Sequence, residues 1–268
     1  MNFKHKKKFG QNFLTNQDEV LNKIIEVSSV NANDSILEIG PGEGALTGYL
    51  LDIVNDVICV EIDKELEKIL LKKYNTRKNF KLIMQDILKV DFDKEISKKV
   101  KVVANIPYYI TSPIINKLIE NRKYVEEIYI MVQKEVAERI CSKKGKNRSI
   151  LTLSVEYFGE AEYLFTIPKE YFTPVPKVDS AFMSIKLYKD NRYLDRVDEK
   201  TFFRFVKAAF SNKRKNIVNN LKTLGYSREI IEKNLEKLYL SNNLRAENLS
   251  IDNFIDLIIL FKNGDVNV

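Results

Sequence analysis

Apolar residues along the first 190 positions switch repeatedly between two periods. Residues 18–27 place Val20, Leu21, Ile24, Ile25 and Val27 at helical spacing, which predicts an amphipathic helix. Short apolar runs follow at 35–39, 57–62, 80–84, 100–104 and 127–132, with the length and β-branched content of buried strands. Between and after them, 45–54, 64–74, 113–120 and 134–141 read as helices, with Pro113 tolerated in a first turn. Residues 149–158 read as a further helix despite their β-branched members, and 163–167 and 180–188 as two last strands. Strands alternating with helices predict a doubly wound, mostly parallel, seven-stranded Rossmann-like α/β sheet. No helical pattern separates the last two strands, so an antiparallel edge is expected there.

After Tyr188 the strand pattern stops. Residues 200–210, 214–224, 228–235 and 251–261 read as short helices, and Gly225 suits the end of the second. The expected division is an α/β domain over 1–190, with a basic N-terminal arm, and a small all-helical domain over 191–268. A chain of 268 residues is long enough for both.

Charge alters this picture in one place. The formal net charge is +7, and residues 200–228 hold eight Lys or Arg and no acid. The remainder carries 36 basic against 37 acidic residues, close to neutral. A positive field confined to the helical region points to a polyanion partner. The competing reading is a Lys-rich surface set by composition alone. No run approaches 18 apolar residues, so no membrane span is expected. The basic start, Met1 to Lys8, lacks the apolar stretch of a signal peptide. Two cysteines, Cys59 and Cys141, and one histidine, His5, disfavour both a disulfide framework and a zinc site. A reduced, cytoplasmic chain without metal is the expectation, and nothing in the sequence calls for an obligate dimer; a monomer is expected.

Candidate chemistry gathers at the predicted strand ends. The turn Glu38-Ile39-Gly40-Pro41-Gly42-Glu43-Gly44 follows the first sheet strand, and Glu61 and Asp86 close the next two. Glycines permit a tight turn and close approach of a ligand to the backbone, and ligands of open α/β sheets cross these strand ends. Glu61 is placed to accept ribose hydroxyls and Asp86 an adenine amine, with Ile87 against the ring. A nicotinamide dinucleotide is the main alternative, since such a turn occurs in both classes. Glu38 opposes it, because a pyrophosphate would meet a negative charge there, whereas a cationic ligand would not. S-adenosylmethionine suits all three acids. The other reading makes Glu38 and Asp86 structural caps. Before the first helix, Gln11 and Asn12 offer amides to the donor's methionine end. The segment also reads as a loop anchored by Phe13 and Leu14, and sequence physics does not separate the two.

Asn105-Ile106-Pro107-Tyr108 closes the 100–104 strand. The N6 amine of adenine is a poor nucleophile, because its lone pair is spread into the ring. Two acceptors against its two hydrogens, the Asn105 side-chain oxygen and the Ile106 carbonyl, would concentrate that lone pair and aim it at a methyl donor. Pro107 stiffens the turn and holds Ile106 extended, and Tyr108 offers a ring face to the base. The bland alternative is a strand-to-helix turn made by Asn and Pro. A second stiff loop, residues 171–178, contains Phe172. Phe172 either closes the target pocket from the opposite side or packs beneath the sheet edge. A base held between aromatic faces must be unpaired, which favours a hairpin loop over intact duplex.

With these residues in hand, the chain closely resembles the KsgA family of ribosomal RNA adenine N6,N6-dimethyltransferases. The resemblance is carried by Phe9-Gly10-Gln11-Asn12-Phe13-Leu14, Leu37-Glu38-Ile39-Gly40-Pro41-Gly42, Val60-Glu61-Ile62-Asp63 and Asn105-Ile106-Pro107-Tyr108. It extends through residues 133–139, 172–181, Lys213-Arg214-Lys215 and Arg245-Ala246-Glu247-Asn248-Leu249-Ser250, and so covers nearly the whole chain. It implies methyl transfer from S-adenosylmethionine to two adjacent adenines in the 3′-terminal hairpin loop of 16S rRNA, within an immature small ribosomal subunit late in assembly. In this family, loss of the activity can give kasugamycin resistance. Carried over by motif, Gln11, Gly40, Gly42, Glu61 and Asp86 would hold the donor, and Asn105 and Tyr108 the target base; Asn12, Leu14, Glu38, Ile62, Ile87 and Asn105 complete the expected donor site. Asn105, Ile106, Pro107, Tyr108 and Phe172 would form the catalytic site, and Lys207, Lys213, Arg214 and Lys215 would meet RNA. Two departures stand out. Tyr109 occupies a position where the family often has asparagine, and Lys146-Asn147-Arg148-Ser149 departs from its usual Tyr-Gly-Arg stretch. A sister group that methylates one adenine of 23S rRNA and confers macrolide resistance shares the core motif. A non-catalytic rRNA-binding assembly factor is the third reading, opposed by the intact set Glu61, Asp86, Asn105 and Tyr108.

Overall fold

The computed structural model describes residues 13–14, 17–143, 145 and 148–264. In chain order the elements are β1 (Phe13–Leu14), α1 (Gln17–Ser28), β2 (Ser35–Ile39), α2 (Ala45–Ile53), β3 (Asp56–Glu61), α3 (Lys64–Tyr74), β4 (Phe80–Met84), α4 (Phe92–Glu95), β5 (Val100–Asn105), α5 (Thr111–Glu120), β6 (Val125–Gln133), α6 (Lys134–Cys141), α7 (Ile150–Phe158), β7 (Gly159–Ile167), β8 (Phe172–Thr173) and β9 (Ser180–Leu187). Four helices complete the chain: α8 (Glu199–Ala209), α9 (Ile217–Leu221), α10 (Arg228–Lys237) and α11 (Ile251–Gly264). Among the described residues no helix is long and apolar enough to cross a membrane.

The chain forms two compact units, Met1–Glu138 with Glu160–Leu187, and Arg139–Gly159 with Tyr188–Val268. The first is built on a seven-stranded sheet of order β4-β3-β2-β5-β6-β9-β7. β4, β3, β2, β5 and β6 run parallel, and β9 pairs antiparallel with β6. The central strands are near-continuous apolar runs, and the covered positions of β2, β3 and β5 are buried on both faces. Helices packed on both sides of a parallel sheet dictate that composition. The edge strand β4 is only partly covered. A further two-stranded sheet pairs Phe13 with Thr173 and Leu14 with Phe172.

The second unit has an aromatic centre. Tyr157 of α7 stacks on Phe202 of α8 with ring centroids 4.3 Å apart, and its hydroxyl donates to the Val197 carbonyl at 2.6 Å. Helix α7 forms despite Val and Thr because Ser149 and Thr152 make a capping box at its start. Seven of its nine side chains are buried. This packing draws Arg139–Gly159 into the helical unit, whereas a single cut after residue 190 leaves it with the sheet. Phe205, Phe254 and Phe261 continue the same core.

Helix α9 is shorter than the 214–224 pattern predicts. Asn216 caps it by accepting from the Asn219 N–H, so Lys213, Arg214 and Lys215 lie in the loop before it. Gly225, at φ +93°, ends the following 3-10 turn.

Candidate functional site

Parallel register brings the carboxyl ends of four neighbouring strands into one row. Ile39 pairs with Val60, Glu61 with Met84, and Asn105 lies at the end of β5 beside β2. Reading across the sheet, Asp86, Glu61, the glycine turn and Asn105 stand side by side along a cavity of about 280 Å³. Glu38, Gly40, Gly42, Glu61, Ile62, Asp86, Ile87, Asn105, Ile106, Pro107 and Tyr108 all line it.

The glycine turn owes its shape to positive φ at Gly40, Gly42 and Gly44, +67°, +60° and +86°, where side chains are strained. The Gly40 N–H donates to the Val60 carbonyl and the Gly44 N–H to the Pro41 carbonyl, each at 2.9 Å. From outside, α3 grips the same turn. The Lys73 ammonium donates to the Glu43 carbonyl at 2.6 Å, and the Tyr74 hydroxyl to the Gly44 carbonyl at 2.7 Å.

Glu61 is 5% exposed. One carboxylate oxygen accepts from the Ile62 and Asp63 N–H groups at 2.9 and 2.8 Å, and the other from the Gly42 N–H at 3.2 Å. Burial raises its pKa, opposed by these three N–H groups. A carboxylate has about four acceptor positions, so one remains for a ligand hydroxyl. Asp86 accepts from the Leu88 N–H at 3.0 Å through one oxygen, which leaves the other for an amine. Capping therefore does not exclude a ligand at Asp86. Ile62 is half exposed within the cavity and Ile87 is buried, supplying apolar contact for a flat ring.

Glu38 lies at the cavity floor but is turned inward and only 2% exposed. The Thr47 hydroxyl donates to it at 2.6 Å, and the Cys59 thiol lies 3.5 Å from the same oxygen. Burial pushes its pKa up to about 7, with the Glu61 charge adding to the rise. Burial also raises Cys59, followed by the charge of Glu38. The negative charge expected before the turn is thus only partly present at neutral pH, and a cationic ligand would restore it.

At the other end of the cavity the Asn105 side-chain amide makes no hydrogen bond to any described residue, although it is half buried. The buried Ile106 side chain anchors the turn, and Pro107, at φ −60° and ψ 134°, leads into a 3-10 turn over Tyr108–Ile110. The Tyr108 hydroxyl is 2.5 Å from the Ser180 hydroxyl of β9, which fixes its ring.

Other expected site residues fall elsewhere. Phe172 does not line the cavity. It is 1% exposed and belongs to the core cluster that also holds Phe182 and Tyr129, and its backbone is tied by the pairing of β8 with β1. Gln11 and Asn12 lie outside the described residues, and Leu14 is described only through its strand pairing with Phe172. Lys207, Lys213, Arg214 and Lys215 are exposed in the helical unit, and Lys213 and Lys215 share a shallow indentation with Arg245. Thr47, Tyr74 and Tyr109 were not singled out as parts of the site. Thr47 acts through the Glu38 carboxylate nine residues before it, and Tyr74 through the Gly44 carbonyl 30 positions away, relationships no local motif carries. Tyr109 was legible only as the residue after a known tetrapeptide.

A glycine turn lining the cavity, three acids at adjacent strand ends and an Asn105 amide with no hydrogen-bond partner among the described residues fit an adenosyl donor with a sulfonium end. The fold and site define a Rossmann-like methyltransferase whose cofactor is S-adenosylmethionine. The family model of ribosomal RNA adenine dimethylase matches residues 2–263. A ribosomal RNA small subunit methyltransferase A from Fusobacterium nucleatum is 64% identical over 262 residues, which cover 98% of this chain and 99% of the relative. Among solved structures, a dimethyladenosine transferase from Plasmodium falciparum aligns with a TM-score of 0.78 at 28% identity, covering 94% of this chain and 98% of its own. The 23S rRNA methyltransferase ErmE aligns with a TM-score of 0.74 at 26% identity, over 94% and 100%. The chain belongs to the ribosomal RNA adenine dimethylase family.

Proposed function

We propose that this chain transfers methyl groups from S-adenosylmethionine to N6 of two adjacent adenines in the 3′-terminal hairpin loop of 16S rRNA. The product is N6,N6-dimethyladenosine, made on an immature small subunit in the cytoplasm by a monomeric enzyme. The observation that carries the chemistry is the Asn105 amide, without a hydrogen-bond partner among the described residues and held beside Ile106 at the end of the strand next to the donor turn.

When bound, S-adenosylmethionine supplies an electrophilic methyl group. The chain's own residues orient and polarise. The Asn105 oxygen and the Ile106 carbonyl accept the two N6 hydrogens and draw the lone pair out of the ring. Acceptance is sufficient, so no side chain needs to remove a proton before transfer; each methylated N6 then releases its extra proton to water, and in the second transfer one acceptor holds the single hydrogen that remains. Tyr108, fixed through Ser180, supports the base face. Glu61 holds a ribose hydroxyl, Asp86 the donor adenine amine, and Ile62 and Ile87 the ring. Orientation and fixed dipoles are the main catalytic contributions.

Exposed Lys207, Lys213, Arg214 and Lys215 place positive charge on the helical unit, which we assign to rRNA phosphates. Identity of 64% to a small-subunit enzyme, against 26% to ErmE, supports the small-subunit target over the large-subunit one. Mass-spectrometric mapping after incubation with immature small subunits and with naked 23S rRNA tests the choice. Two dimethylated adenines in the small-subunit loop are expected. Methylation of 23S rRNA alone would reassign the target, and donor-dependent methylation of neither would leave a binding factor.

A further inference from the structure

Tyr109 is 60% exposed although it lines the same cavity as Asn105 and Tyr108. Among the described residues its ring and hydroxyl have no partner. Its neighbour is the opposite case, half buried and fixed to Ser180. The two residues open a 3-10 turn, in which successive side chains diverge by about 120°. The two rings therefore cannot sandwich one base. Tyr108 faces inward and Tyr109 stands at the mouth. A large aromatic left in water at the rim of a site has a cost in solvation that contact with a flat ligand removes. The donor has its own apolar contacts at Ile62 and Ile87, at the far end of the row of strand ends.

We propose that Tyr109 is the stacking platform for the nucleobase next to the target, so that one base enters the cavity while its neighbour is held at the rim. This rests on the rRNA adenine reading above and extends it. Adjacent unpaired bases are joined by one phosphate and leave a loop together. A strand that sends one base inward presents the next at the mouth. Stacking tolerates any base but favours a purine, which gives the larger overlap. The platform would thus serve whichever adenine is not reacting.

Two measurements on the full chain test it. The first compares the parent with Tyr109→Ala and Tyr109→Phe. With immature small subunits, Tyr109→Ala should raise KM for the particle on the order of tenfold, leave kcat within about twofold, and bind S-adenosylhomocysteine as the parent does. Tyr109→Phe should match the parent. An unchanged KM, equal damage by Phe and Ala, or weakened S-adenosylhomocysteine binding would overturn the assignment, the last by making Tyr109 a donor wall. The second measurement uses the absence of tryptophan from the sequence, which makes the indole of Tyr109→Trp the sole one. Its emission should be quenched by the dinucleotide ApA more than by UpU at equal concentration, and absence of quenching overturns the proposal. If the parent methylates no small-subunit RNA, the functional reading falls, while the ApA quench still decides whether residue 109 holds a base.

Discussion

Tyr74 and Gly44 fit each other at one point. The tyrosine hydroxyl donates to the glycine carbonyl at 2.7 Å, and a Cβ added at Gly44 would stand 2.6 Å from the tyrosine ring. The absence of a side chain at 44 is thus required twice, by φ +86° and by the ring that braces the turn. Tyr74→Phe keeps the ring and removes one hydrogen bond. It should weaken S-adenosylhomocysteine binding by about 0.5–1.5 kcal/mol with little change in Tm. Gly44→Ala should lower both stability and donor affinity. Calorimetric titration with parallel thermal melts reads both, and parent-like donor affinity in Tyr74→Phe would remove the bracing role.

Glu38 gives the fold a specific pH response. Its ordinary pKa is 4.5 and in the folded chain about 7, chiefly through burial. Between those values the folded chain holds a proton that the unfolded chain has released. Stability from this group is therefore highest below pH 4.5 and falls as pH rises through the window, with a full penalty of roughly 3 kcal/mol above pH 7. Glu38→Gln, whose amide oxygen still accepts from Thr47, should flatten that slope in urea unfolding between pH 5 and 8. Donor binding has the opposite sign. A cationic ligand favours the carboxylate, so affinity for S-adenosylmethionine should rise with pH through 7 in the parent and stay flat in Glu38→Gln. Identical pH profiles for the two proteins would rule out this linkage.

Asn105 is the residue on which the proposed methyl transfer depends. Asn105→Ala removes the acceptor without disturbing any hydrogen bond among the described residues. It should cost on the order of 10²–10³ in kcat, the scale seen when one preorganised polar group is removed from a reacting centre, with S-adenosylhomocysteine affinity close to the parent's. Single-turnover methylation measures this. A loss confined to KM would mean that Asn105 only helps to bind RNA.

The exposed loop before α9 predicts a salt effect. Replacing Lys213, Arg214 and Lys215 together with alanine should weaken binding to immature small subunits. It should also reduce the slope of log K against log salt by roughly 2, if most of these cations meet phosphates. Binding measured from low to moderate salt decides it, and an unchanged slope places the contact elsewhere.

Phe172 carries a stability prediction, because the structure buries it. Phe172→Ala should destabilise the chain by about 3–5 kcal/mol, read from denaturant midpoints. A variant at this position that loses activity while keeping its midpoint would return Phe172 to the target pocket.

All seven strands of the main sheet were legible: the central ones are apolar runs buried on both faces, and the partly covered β4 and β7 still carry short apolar stretches, 80–84 and 163–167. The placement of Glu38, Glu61, Asp86 and Asn105 along one cavity was equally legible, since parallel register lines up strand ends. Pairs of two residues, Phe13–Leu14 with Phe172–Thr173, carry no period and were missed, and with them the burial of Phe172. Helix α9 was overextended because Lys213, Arg214 and Lys215 are good helix formers, while the start is set by the Asn216 cap. Tyr74 was read only as the end of an amphipathic helix. Its partner is 30 positions away, and nothing local signals that contact.

The excursion of Arg139–Gly159 into the helical unit has a practical consequence for anyone exchanging modules between related enzymes. A chimaera that grafts residues 191–268 alone separates Tyr157 from the native Phe202 and Val197 it was matched to. A faithful transplant carries two pieces of chain, and its seams fall on either side of α7 as well as after β9.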